Sequence, residues 1–295
     1  MRFLLNIILA IGVALFFSFP TIAEINVVDD TGRNVTLSRP AQRIISMAPN
    51  LTELLFHIGA GSQTVGVVEY SDFPEEVQGI PAIGTSSQFD IEAILALQPD
   101  LLVAWYSGNP AEDLTKLEDL GLVIFRSEPR TLNDVASLMK RLGKLAGHIE
   151  TGKQLASDFL ASTDSIRDDY QHRTNLQVFY QIWSDPIYTL NGDHLISRLI
   201  ENCGGTNIFY ALETLAPVVS TESVIQRNPD VIIAGGYGGL TPKWLETWNQ
   251  WSSIKAVKSK NLYTVDTDQI SRMGPRIVEG MQALCEVINT ARSKP

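Results

Sequence analysis

Five stretches of the sequence set large flat side chains beside polar groups able to orient a ligand: Tyr70-Ser71-Asp72, Trp105-Tyr106, Trp183 with Asp185 to Tyr188, Tyr237, and Asp268-Gln269 with Arg272. Tyr and Trp offer wide apolar contact with few torsions to freeze, while hydroxyls, carboxylates and a guanidinium fix orientation. That is the chemistry of holding a molecule rather than transforming one. Catalytic spacings are missing, with no G-x-S-x-G, H-E-x-x-H or P-loop. Gly59-Ala60-Gly61 opens like a dinucleotide fingerprint, yet Thr64 stands at the third glycine position and the stretch follows a helical pattern instead of starting one. His57, His148, His172 and His194 occur singly, so no catalytic residue, metal ligand or resident cofactor is assigned. A secreted enzyme using the same cleft is the contrasting reading. Its acid–base candidates, Asp72, Asp185 and Asp268, have no histidine partner visible in the sequence.

These groups follow short apolar runs: 43–46, 65–68, 101–104, 123–125, 178–181, 231–234 and 262–265. Between them lie amphipathic segments at 52–58, 91–97, 110–120, 132–145 and 275–291. Apolar runs alternating with helices predict an α/β fold with mostly parallel sheets. In such folds ligands gather at the carboxyl ends of the strands, where the aromatic and polar residues fall.

The chain has 295 residues, 44% hydrophobic and 19% charged, with a formal net charge of -10. Its length suits two lobes. Acidity and the lack of a basic run exclude nucleic acid as a partner. Arg2, an apolar stretch from Phe3 to Phe19 and the ending Pro20-Thr21-Ile22-Ala23 predict a signal peptide over 1–23. In an exported chain Cys203 and Cys285 are either a disulfide or two buried thiols.

An internal repeat sharpens the organisation. Asp90 to Ala104 aligns without a gap on Ser220 to Ala234, 130 residues later, including the Pro-Asp before each strand. Glu92 and Glu222 occupy equivalent positions of the two copies. Residues 143–173 carry apolar side chains at helical spacing and no proline, and predict one long helix that could break at Gly147 or Gly152. The expected layout is signal peptide 1–23, N-terminal lobe 24–143, connecting helix 144–174 and C-terminal lobe 175–295. A helical connection resists bending, so closure on a ligand is expected to be small.

The segments Arg43 to Glu53, Tyr70 to Pro74, Ile94 to Trp105, Cys203 to Phe209 and Pro275-Arg276-Ile277 resemble the iron-siderophore and cobalamin class of periplasmic substrate-binding proteins, most closely its cobalamin binders. The resemblance covers nearly the whole chain after residue 23. It implies two Rossmann-like lobes joined by a rigid helix (a class III periplasmic binding protein). It also implies a monomer in the periplasm that delivers a corrinoid such as cobalamin to an ABC permease dimer with a cytoplasmic ATPase. Tyr70, Trp105, Asp268 and Arg272 match ligand-contact positions, and Glu92 and Glu222 match the glutamates that dock on the permease. Cys203 and Cys285 match a disulfide. Ser86, Ala216 and Gln269-Ile270 depart from the pattern where cobalamin binders carry aromatic rings, and Trp183 and Tyr188 are expected to supply rings from the other lobe. A ferric siderophore or haem is the alternative cargo. It would call for free cations, for which Arg272, Arg126 and Arg130 are the candidates.

Overall fold

The structure, a computed structural model, describes residues 24–237 and 240–294, so the expected signal peptide lies outside the described residues. A hairpin of β1 (Ile25–Val28) and β2 (Asn34–Leu37) precedes β3 (Ile44–Ser46), α1 (Pro49–His57) and β4 (Thr64–Val67). A small hairpin, β5 (Gly84–Thr85) and β6 (Gln88–Phe89), leads to α2 (Ile91–Ala96), β7 (Leu101–Trp105), α3 (Ala111–Asp119), β8 (Ile124–Ser127) and α4 (Leu132–Ala146). After α5 (Ile149–Tyr170) come β9 (Leu176–Gln181), the hairpin β10 (Trp183–Ser184) and β11 (Ile187–Tyr188), α6 (Leu195–Asn202) and β12 (Gly205–Asn207). The chain ends with α7 (Thr221–Arg227), β13 (Val231–Gly236), α8 (Lys255–Lys258), β14 (Leu262–Asp266), α9 (Thr267–Ser271) and α10 (Ile277–Arg292).

Two wholly parallel sheets result, ordered β4-β3-β7-β8 and β12-β9-β13-β14. The strand orders are the same, and the repeated stretches form α2–β7 in one lobe and α7–β13 in the other. Ile44, Ile45, Leu102, Ile232 and Ile233 are fully buried because helices cover both faces of each sheet, and this is why these strands read as unbroken apolar runs. The edge strand β12, Gly205-Thr206-Asn207, carries no such run and is invisible to apolar patterning.

The connecting region differs from one uninterrupted helix. Helix α4 ends at Ala146, Gly147 takes φ 84° in the left-handed region that glycine enters freely, and α5 starts at Ile149. The two helices then meet backbone to backbone, since a Cβ on Gly152 would lie 2.7 Å from the Met139 carbonyl and one on Gly143 would lie 2.9 Å from the His148 carbonyl. Phe159 and Ile166 of α5 belong to one apolar cluster that runs from α1 and α4 to α6 and α10. The lobes therefore share a core along their backs. Separate clusters fill the outer face of each sheet, the second organised by Phe179, whose ring meets Phe209 and Trp248 edge-on at 5.7 Å. Cys203, just after α6, is joined by a disulfide to Cys285 in α10, as the resemblance implied.

Candidate ligand-binding cleft

The lobes also touch on the cleft side, through charge. Asp72 follows β4 and Arg272 follows β14, and Arg272 Nη1 donates to Asp72 Oδ1 at 2.7 Å. The carboxyl ends of the two sheets thus face each other. The same Nη1 donates to Glu53 Oε1 at 2.9 Å, and Arg272 Nη2 lies 3.1 Å from Asp268. Arg276 grips Glu53 with two further hydrogen bonds, Nε to Oε2 at 2.9 Å and Nη2 to Oε1 at 2.6 Å, and its guanidinium lies 4.3 Å from the centre of the Phe73 ring. The Glu53 side chain is only 1% exposed. A carboxylate so buried persists because two guanidiniums from the other lobe satisfy it. Burial pushes the Asp268 carboxyl up, and Asp72 and Asp266 add to this against the pull of Arg272. Burial also acts upward on Asp72, but there the hydrogen bond and charge of Arg272 outweigh it and hold that carboxyl below its ordinary value.

Around this junction stand the expected aromatic residues. Tyr70, 77% exposed, sits beyond β4 with φ 65°. Trp105 ends β7 with its ring against Gly108, and its backbone N–H donates to Asn109 Oδ1 at 2.7 Å. In the other lobe Trp183 and Tyr188 are directly paired across the β10–β11 hairpin, the first exposed and the second half-buried. Trp183 Nε1 donates to the Asp185 carbonyl at 3.1 Å, and Tyr237 extends past β13 at 66% exposure. Large exposed rings of this kind offer apolar contact area to a ligand.

Several positioning groups escaped the sequence reading. Asn109, buried, donates to the carbonyls of Met47 and Ser86 while accepting from Trp105, so it pins the turn that presents that ring. Gln181 donates to the Trp183 carbonyl at 3.0 Å and accepts from Trp248 Nε1 at 2.8 Å. Leu215 and Val218 are exposed beside Tyr188 because residues 215–219 pair with 187–191. Glu53 did leave a signal, a carboxylate amid Leu51, Thr52, Leu54 and Leu55 on a helix face that has to be buried. The cation candidates change as well. Arg126 is buried in an ion pair with Glu118 at 2.5 Å and so is not a free cation, and Arg130 lies 3.9 Å from Glu128. Ile270 is fully buried in the shared core, so an aliphatic side chain there serves packing and not the cleft.

Glu92 and Glu222 are exposed in the first turns of α2 and α7. Asp90 caps one helix by accepting from Ala93 N–H at 2.9 Å, and Ser220 caps the other by accepting from Ser223 N–H at 3.2 Å. The backbone N–H of Glu222 and the Ser220 hydroxyl hold the Glu222 carboxyl below its ordinary value. Among the described residues no helix is long and apolar enough to cross a membrane.

A parallel-stranded, two-lobed architecture with ring-lined strand ends facing each other defines a binding protein of the periplasmic class. The profile of the periplasmic binding protein family matches residues 44–269, and the chain belongs to that family. It is similar to the vitamin B12-binding protein of Vibrio campbellii, at 34% identity over 86% of this chain and 92% of the relative. The crystal structure of the periplasmic vitamin B12 binding protein BtuF of Vibrio cholerae superposes with a TM-score of 0.78 at 32% identity, covering 86% of this chain and 99% of that one. The periplasmic heme binding protein HutB of Vibrio cholerae shares the fold, with a TM-score of 0.73 at 18% identity over 84% of this chain and 98% of that one.

Proposed function

We propose that this chain is the periplasmic binding component of an ABC importer, capturing a corrinoid of the vitamin B12 type between its lobes and handing it to a membrane permease dimer powered by a cytoplasmic ATPase. The observation that carries this reading is the set of rings at the facing strand ends, exposed Tyr70 and Trp105 from one lobe and exposed Trp183 beside half-buried Tyr188 from the other. Likeness to vitamin B12-binding proteins at 34% identity supports it. Asp268 and Arg272 lie where the lobes meet, but Arg272 is engaged by Glu53, Asp72 and Asp268, and Arg276 by Glu53. With its guanidiniums so paired, the junction suits a nearly neutral, amide-rimmed corrinoid better than an anionic ferric chelate or haem. Glu92 and Glu222 are the docking carboxylates for the permease, one per lobe, and the protein works as a monomer.

Calorimetry of the mature protein with cyanocobalamin, cobinamide, haemin and a ferric siderophore tests the ligand. Submicromolar binding of the corrinoids is expected, weakened about tenfold or more by Trp183→Ala. Heat with a ferric chelate and none with either corrinoid overturns the reading. The docking role is checked by Glu92→Ala combined with Glu222→Ala, which should leave corrinoid affinity intact and abolish uptake in reconstituted vesicles; unchanged uptake sinks it.

A further inference from the structure

A cavity of about 280 Å³ opens in the C-terminal lobe at the carboxyl ends of β9, β13 and β14, lined by Tyr180, His194, Gly235, Tyr237, Thr267 and Ser271 with three aliphatic side chains. Its place ties it to the cleft. Tyr237 is one of the exposed rings, and Ser271 immediately precedes Arg272, which reaches across to Asp72.

The polar atoms of this cavity are unusually underused. Thr267 Oγ1 is buried and has no hydrogen-bond partner among the described residues. Gly235 makes room beside it, since a Cβ there would lie 2.5 Å from Thr267 Oγ1 and 3.6 Å from the Tyr180 hydroxyl. That hydroxyl is hydrogen-bonded to Ser271. His194 Nδ1 accepts from the Ile196 N–H at 3.2 Å, so the neutral ring carries its proton on Nε2, for which no acceptor exists among the described residues. Burial pushes His194 down to about 4, which keeps the ring neutral at physiological pH. With Nδ1 taken up by the Ile196 N–H, the ring presents a donor at Nε2. The cavity therefore offers a free N–H, a hydroxyl that can donate or accept, and an aliphatic wall of Ile182, Leu190 and Ile196, with no charged side chain in its lining.

Those properties select among guests. A carboxylate would be desolvated without a cation, and an ammonium would be desolvated without an anion. A primary carboxamide is neutral, accepts through its carbonyl oxygen and donates through its NH2, matching both kinds of unused group. We propose that this cavity receives one carboxamide-bearing side arm of the corrinoid held in the cleft, with His194 Nε2–H and Thr267 Oγ1 as its hydrogen-bond partners. The assignment rests on the corrinoid reading and adds the subsite that fixes the ligand's rotation between the lobes.

The test uses the mature protein, cyanocobalamin, and cyanocobalamin monocarboxylic acids in which a single amide is hydrolysed. Thr267→Val removes a hydroxyl that is unpaired in the empty protein, so its melting temperature should hold or rise while cyanocobalamin affinity falls about tenfold. His194→Asn keeps a cap for α6 but withdraws the Nε2 donor, and should weaken binding by a similar factor. On the wild type one of the monoacid isomers should bind at least tenfold more weakly than the parent, and that discrimination should vanish in Thr267→Val. Unchanged cyanocobalamin affinity in both folded variants, with the wild type binding normally, overturns the subsite alone. No cyanocobalamin binding by the wild type overturns the corrinoid reading and this assignment with it.

Discussion

A single side chain can carry two roles, as His194 does. As the N-cap of α6 it accepts from Ile196 N–H, and as part of the cavity wall it is buried and uncharged. Its folded pKa of about 4 lies below the ordinary 6.5, so on acidification the unfolded chain takes up the proton first. Stability is then fully present above about pH 6.5 and is lost as pH falls toward 4, with a total contribution on the order of 3 kcal/mol. Urea denaturation at pH 7 and pH 4.5 should show a larger loss for the wild type than for His194→Asn; parallel losses would remove His194 from the account. The aromatic residues were legible in the sequence because each follows an apolar run, and strand ends are where a parallel sheet meets its ligand. Asn109, Gln181 and Thr267 were not legible. Each is an ordinary polar residue until the backbone carbonyls and rings it serves are folded around it.

At the scale of elements, the contact between α4 and α5 decides how the lobes are joined. The apolar spacing through 143–173 marks helix correctly on both sides of Gly147, but periodicity alone does not say that the chain turns there and packs back on itself. Gly143 and Gly152 allow that packing because neither brings a Cβ into the facing backbone. Gly152→Val would push a branched side chain against the Met139 carbonyl and should cost about 1 to 3 kcal/mol by chemical denaturation. A variant as stable as the wild type would mean that the helices can separate without loss. The disulfide acts at the same scale, closing 82 residues between α6 and α10 and restricting the unfolded chain by about 4 to 5 kcal/mol in the loop-entropy account.

For the whole molecule, two connections of different character hold the lobes. Along the back they share an apolar core through α5, and at the cleft Glu53 binds Arg272 and Arg276 of the other lobe. The first resists bending, and the second requires that the buried Glu53 carboxylate stay with its two half-buried arginines. Glu53→Ala leaves Arg276 without its ion-pair partner and Arg272 with only Asp72 and Asp268, and should destabilise the protein by about 1 to 3 kcal/mol, lowering the urea midpoint. An unchanged midpoint would show that the cleft-side contact contributes nothing. The same pair of connections accounts for the small closure expected on ligand binding, because opening the cleft widely would separate Glu53 from both arginines.

The sequence by itself determined the α/β class, the two-lobed repeat with Glu92 and Glu222 at equivalent points, and the ring-bearing strand ends, because each is written in local patterns of burial, spacing and side-chain type. The tertiary structure decided which charges are available to a ligand. Arg272, read from the sequence as a ligand contact, meets Glu53 and Asp72 some two hundred positions away, and only the fold brings them within 2.9 Å. It also decided that Thr267 and His194 face one uncharged cavity with unused hydrogen-bonding atoms, since an unsatisfied group can be recognised only when every neighbour is in place.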